Sequence, residues 1–308
     1  MLQQTQVATV VPYYERFVAA FPDVRALAAA PLQRVLEHWS GLGYYRRAHH
    51  LHVAAGRVVA LHGGVFPVAA DVIATLPGVG RSTAAAIATF AGGAPAPILD
   101  GNVKRVLARH RAVEGFPGVA PVEAALWRIA EALLPDRDAV AYTQGMMDLG
   151  ATVCTRGTPA CGACPIAGDC IALATARVDA LPSPRPPKAL PQRAVRVLLL
   201  ERAGEILFER RPALGIWGGL WSLPETASDA DPVRHCRERF DAVVDGGAVL
   251  PAIEHGFTHF RLTIIPQRIV VRRWPSRAEA PGLVWMTPAD AATAALPAPI
   301  KKLVRALA

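Results

Sequence analysis

Four of the five cysteines fall close together, as Cys154-x6-Cys161-x2-Cys164-x5-Cys170. Thiolates bind soft metal ions, and the residues between these four, including Gly157, Pro159, Gly162, Pro165 and Gly168, suit a loop wrapped round an inorganic centre. Spacing alone leaves two occupants open, a tetrahedral zinc ion or the four corners of a [4Fe-4S] cluster. Cys236 stands apart and reads as a core or surface thiol.

A second set is Leu76-Pro77-Gly78-Val79-Gly80-Arg81-Ser82-Thr83, followed by small apolar residues at 84–88. The two glycines permit a tight turn with outward N–H groups, and the helix behind them aims its positive end at the same spot, which makes an anion site. A dinucleotide fingerprint is excluded, because no strand-like run precedes the turn and Thr83 stands where a third glycine belongs. Two readings remain: a plain helix pair without ligand, and a helix-hairpin-helix that grips a DNA phosphate. The third set is Ile98-Leu99-Asp100-Gly101-Asn102-Val103-Lys104-Arg105. An Asp at a helix start is most often an N-cap. Here the apolar residues before it would hold the carboxylate partly desolvated, where it could stabilise a cationic sugar.

The elements around these sets follow from periodicity. Residues 1 to about 170 read as mainly helical, with 3.6-period apolar positions broken by Pro and Gly, as in 10–21, 32–36 and 122–134. Met1 leads straight into what reads as a helix interior. Residues 181–191 are rich in proline and extended by necessity. Beyond them the pattern becomes α+β. Residues 195–200 and 205–209, separated by Ala203-Gly204, predict a β-hairpin. Residues 260–271 predict a further strand region, interrupted by Pro266 and paired with 283–286. Helices are expected near 231–240 and after Thr287-Pro288. The expected domains are 1–175, including the cysteine loop, a linker at 176–193, and 194–308.

Composition sets the class. The chain has 308 residues, 52% hydrophobic and 19% charged, enough to bury cores and incompatible with a disordered or disulfide-stapled chain. Its net charge of +8 fits a polyanionic partner or an ordinary basic surface, and most of the excess lies beyond residue 170. No apolar run approaches the roughly 18–20 residues of a membrane span, and the start lacks a signal-peptide pattern. A cytoplasmic location is expected, near the nucleoid when DNA is bound.

The three sets in this order, with Leu42-Gly43-Tyr44-Tyr45 upstream, resemble the helix-hairpin-helix DNA glycosylases that carry a cluster loop. The opening Met1-Leu2-Gln3-Gln4-Thr5-Gln6, residues 98–109 and Met146-Met147-Asp148-Leu149-Gly150 are similar to the adenine DNA glycosylases of the MutY type. The resemblance implies a mainly α helix-hairpin-helix glycosylase domain with a [4Fe-4S] cluster on Cys154, Cys161, Cys164 and Cys170. It implies a monomer acting on double-stranded DNA that contains A:8-oxoguanine or A:G mispairs, by base flipping and hydrolysis of the N-glycosidic bond. Asp100 would face the oxocarbenium-like sugar and Asn102 would orient it. Gln4 and Tyr44 would wedge into the stack, though by themselves they read as a helix-cap residue and a core aromatic. Gly78, Gly80 and Ser82 would hold phosphates, with Lys104 a phosphate or surface contact. Related lyases carry a lysine at position 82, so Ser82 implies no lyase step.

The second domain resembles a Nudix-like fold. A hydrolysing Nudix site needs a run of acids on a helix, whereas Asp229, Asp231 and Glu238 are mixed with Arg234, Arg237 and Arg239. The resemblance implies instead that Phe257, Thr258 and His259 read the 8-oxoguanine strand; as an isolated tripeptide they read as an ordinary strand start. It also places the general acid, a glutamate that protonates the leaving adenine, two residues before the position of Met1. The 308-residue chain is therefore expected to excise adenine orders of magnitude more slowly than one extended upstream, and equal single-turnover rates would refute this. A non-catalytic lesion-binding protein is the alternative.

Overall fold

A computed structural model describes residues 1–2, 5–187, 189–213, 215–275 and 281–307. It divides into two compact units, Met1–Gly56 with Ala189–Ala308, and Arg57–Lys188. These cut the chain elsewhere than composition does.

Amphipathic segments form α1 (Val7–Ala20), α2 (Val24–Ala29), α3 (Leu32–Trp39) and α4 (Arg46–His62). Asp23 caps α2 by accepting the Ala26 N–H at 2.7 Å. Phe17, Phe21, Val35, Leu36 and Trp39 bury one face of these helices in a core that also takes in Leu220 and Ala295. That shared burial is why the first helices group with the C-terminal region. The expected helix at Met1 starts instead at Val7. Arg47 donates to the Met1 carbonyl at 3.0 Å and the Thr5 hydroxyl at 3.3 Å, so these two residues bond across the fold.

The second unit is helical: α5 (Ala70–Ile73), α6 (Arg81–Gly92), α7 (Gly101–His110), α8 (Ala120–Ala132), α9 (Ala139–Asp148) and α10 (Ile171–Ala174). A π-turn at Leu149–Val153 continues α9. Its core is built from Ile98, Leu99, Val103, Leu107, Leu126 and Ala130.

The remaining residues of the first unit form β1 (Gln192–Arg202), β2 (Glu205–Arg210), β3 (Trp221–Ser222), β4 (Glu225–Ala227), β5 (Val243–Val249), β6 (Ile253–Gly256), β7 (Arg261–Arg273) and β8 (Leu283–Met286), with helices α11 (Pro232–Phe240), α12 (Pro288–Thr293) and α13 (Ala298–Arg305). Among the described residues the strands make one 8-stranded sheet along the path β3-β2-β1-β7-β5. β1 and β2 are the expected hairpin, and β1 runs parallel to β7 from Gln192↔Arg261 to Glu201↔Val270. On one face Val197 and Leu199 join a core with Ala291 and Ile300; on the other Leu198 and Leu200 join Cys236 and Phe240. A strand covered on both faces has no polar alternation, which explains its unbroken apolar run.

Two strand expectations are corrected. Pro266 does not interrupt β7: its carbonyl accepts the Leu250 N–H at 2.8 Å on the side where the chain passes from β5 to β6, so its missing N–H falls in a gap of the ladder. β8 pairs with β2, not with β7, whose two sides are already taken by β1 and by β5 and β6.

Candidate functional site

In the second unit the hairpin is closed by small side chains, since Ile73 of α5 packs on Ala84 and Ala88 of α6. Gly78 adopts φ +78°, which the turn demands and a side chain would resist. Gly80 precedes α6 without a capping side chain and is exposed, with open space where a Cβ would stand. With glycine at its N-cap, α6 receives no capping bond from that residue's side chain, and a helix start of this kind suits an anion. Ser82 also makes a bond within the protein. Its Oγ accepts the Leu99 N–H at 2.9 Å, bracing the hairpin against the residue just before Asp100.

Asp100 is the N-cap of α7, as its position predicts. Its Oδ1 accepts the N–H groups of Asn102 at 2.9 Å and Val103 at 2.8 Å, which leaves Oδ2 without a protein partner among the described residues. Ile98 and Leu99 are buried beneath it while Asp100 itself is half-buried. Two amide donors and the positive end of α7 favour a negative charge there. Asn102 orients Asp100 through its backbone N–H; its side-chain oxygen turns to Arg105 Nη2 at 2.9 Å. Lys104, expected as a phosphate or surface contact, is half-buried and its amine donates to Glu123 at 2.7 Å.

The cysteines are reached from the same helix. Arg105 donates to the carbonyls of Gly150 at 2.6 Å and Cys154 at 2.7 Å, and Arg109 to those of Thr155, Val178 and Leu181 and to Cys154 Sγ at 3.3 Å. Burial lowers the Arg105 pKa, and the Cys154 sulfur opposes this. Gly150 is demanded by close approach, since a Cβ there would stand 2.6 Å from the Asn102 Cβ. Neither arginine's role was read from the sequence. The available signal was two basic residues four apart on the otherwise apolar face of α7.

Cys154, Cys161, Cys164 and Cys170 line one cavity floored by Arg109. Four thiols facing one cavity are the donor set that a [4Fe-4S] cluster takes, one cysteine to each iron. Burial first, then the charges of Cys154, Cys170 and Cys164, raises the Cys161 thiol pKa. A bound cationic core would relieve that repulsion.

In the first unit Tyr44 sits at φ +48° and is half exposed, not a core aromatic. The Arg47 guanidinium lies 5.3 Å from its ring and 5.5 Å from that of Trp39. Gln4 lies outside the described residues. Phe257 packs inward, 4.5 Å from the buried Phe260 ring, while Thr258 and His259 are exposed at the tip of a turn closed by Phe257 N–H to the Phe260 carbonyl. The acids of the α11 region serve the fold: Asp231 caps the helix and Glu238 pairs with Arg234, while Arg239 pairs with Glu209 and Arg211 with Glu225.

The model for the HhH-GPD superfamily base excision DNA repair protein matches residues 1–132, that for the iron-sulfur binding domain of endonuclease III residues 154–170, and the NUDIX domain residues 196–306. An adenine DNA glycosylase of Buchnera aphidicola is 34% identical over 86% of this chain and 76% of its own length, and that of Mus musculus 33% over 99% and 69%. A thermostable thymine-DNA glycosylase superposes on 56% of this chain and 80% of its own with TM-score 0.52 and 28% identity. With the capped Asp100, the hairpin, the four-thiol cavity and the sheet domain in one chain, these relatives settle its place: the chain belongs to the adenine DNA glycosylase family, base excision repair enzymes with an iron-sulfur cluster loop and a Nudix-like domain.

Proposed function

We propose that this monofunctional glycosylase, a cytoplasmic monomer associated with the nucleoid when bound to DNA, removes adenine mispaired with 8-oxoguanine or guanine. The observation that carries the reaction is the Asp100 carboxylate, fixed through Oδ1 by two amides with Oδ2 left over. Facing a flipped nucleotide, that oxygen stabilises the positive charge that develops on the sugar as the base departs. Asn102 and Arg105 hold its helix start in place. Gly78 and Gly80 supply the phosphate grip, to which Ser82 can still give its proton. Ser82 has no amine to form a Schiff base, so hydrolysis ends at the abasic site.

Tyr44, on its strained and exposed turn, and Gln4 wedge beside the mispair. Phe257, Thr258 and His259 read the opposite strand. In the expected division of labour residues 1–175 grip DNA and 194–308 read the lesion. The [4Fe-4S] cluster, when bound by the four cysteines, cross-links their loop through iron–thiolate bonds. The loop in turn fixes Arg105 and Arg109 of α7.

The test is base release from duplexes carrying A:8-oxoguanine, A:G, A:T or T:G. Adenine should leave the first two and not A:T. Release of thymine from T:G instead, or lesion-selective binding with no adenine release, would overturn the proposal.

A further inference from the structure

The loop before β3 holds a residue that neither the motifs nor the mechanism uses. Trp217 adopts φ +55°, a left-handed conformation that a bulky L-residue avoids unless its surroundings impose it. The surroundings do. Arg211 Nε binds the Ile216 carbonyl at 2.9 Å, His49 Nε2 bonds the Gly218 carbonyl at 2.9 Å, and the Leu220 N–H closes on the Trp217 carbonyl at 3.1 Å. A Cβ on Gly218 would meet the Ala213 carbonyl oxygen at 2.3 Å, and one on Gly219 would press on Leu36 at 3.0 Å.

What this strain achieves is the placement of one indole. The Trp217 ring lies 5.4 Å from that of Phe257 and 5.5 Å from that of His255, and Phe257 stacks on Phe260 at 4.5 Å with 17° between planes. Phe257 is therefore gripped between Trp217, His255 and Phe260. Thr258 and His259 project to solvent from that anchor. The His259 ring lies 4.8 Å from that of Phe260 and 6.2 Å from that of Phe257, so the aim of this exposed tip depends on how rigidly the Phe257–Phe260 pair is held.

We propose that Trp217 is a positioning residue for lesion reading: by holding Phe257 it aims Thr258 and His259, and so sets the preference for 8-oxoguanine over guanine in the strand opposite adenine. This rests on the reading of residues 257–259 given above. Offset aromatic packing of this kind adds to simple burial, so its loss should be measurable.

The experiment measures dissociation constants of the 308-residue chain for duplexes with 8-oxoguanine or guanine opposite a non-hydrolysable adenine analogue. The readout is their ratio, which a loss of general DNA affinity does not move. Trp217→Leu should shrink the ratio about tenfold, as should Trp217→Gly, which suits the positive φ and removes the whole side chain; a tenfold change matches the upper range for one aromatic pair. Trp217→Phe should keep most of it. Should Trp217→Leu fail to fold, Trp217→Gly and Trp217→Phe decide between them. A ratio unchanged in Trp217→Gly while Phe257→Ala abolishes it would overturn the role of Trp217 and leave the reading of 257–259 intact. A ratio near one for the unaltered chain would overturn both.

Discussion

Asp100→Asn should lower the single-turnover rate of adenine release by about 10²–10³, the range seen when one preorganised electrostatic group is removed. The substitution isolates charge from structure. Asp100 caps α7 through Oδ1, which accepts two amide hydrogens, and an asparagine oxygen caps nearly as well. The helix start, its buried platform of Ile98 and Leu99 and the brace from Ser82 should all survive. What disappears is the negative charge facing the sugar. Asp100→Ala should lose the same rate and a further ~1 kcal/mol of stability with the cap. Single-turnover rates of variant and parent are to be compared, with thermal unfolding alongside. An Asn variant as fast as its parent would reduce Asp100 to a cap.

The second large effect is structural. Arg109→Ala should destabilise the helical unit by about 3–5 kcal/mol, the cost of breaking a buried charged network. Arg109 is 4% exposed and donates to the Thr155, Val178 and Leu181 carbonyls as well as to Cys154 Sγ. Alanine leaves three carbonyls without a donor, at about 1–3 kcal/mol for each one that stays buried. Because the network includes a cluster ligand, the visible iron–sulfur absorbance should fade at a lower temperature than in the parent. Arg109→Lys should recover little of the loss, since an ammonium cannot span partners that a planar fork reaches together. Unchanged melting and absorbance in the alanine variant would show that water replaces the guanidinium at no cost.

These expectations differ in where they could be read. Asp100 as a cap, Gly78 in a tight turn, Asp231 and Thr287 before their helices, the β1–β2 hairpin and the four-cysteine loop are all legible along the chain. Each depends on groups within a few residues of one another, so the partners travel together in the sequence. The continuous apolar run of β1 likewise announces a strand covered on both faces.

Partner choice across the fold was decided elsewhere. Lys104 pairs with Glu123, Ser82 braces Leu99, and β8 joins β2. Arg105 and Arg109 also find carbonyl acceptors 45 to 72 residues away. Arg47 reaches the Met1 carbonyl, and the loop that holds Trp217 at positive φ is pinned on His49. A lone sequence states that a buried arginine needs acceptors but not which carbonyls will be there. The sequence determined the family, the chemistry available and the local geometry of each motif. The tertiary structure alone decided which polar groups meet, because long-range packing fixes those distances and every buried donor must then take the acceptor that packing brings to it.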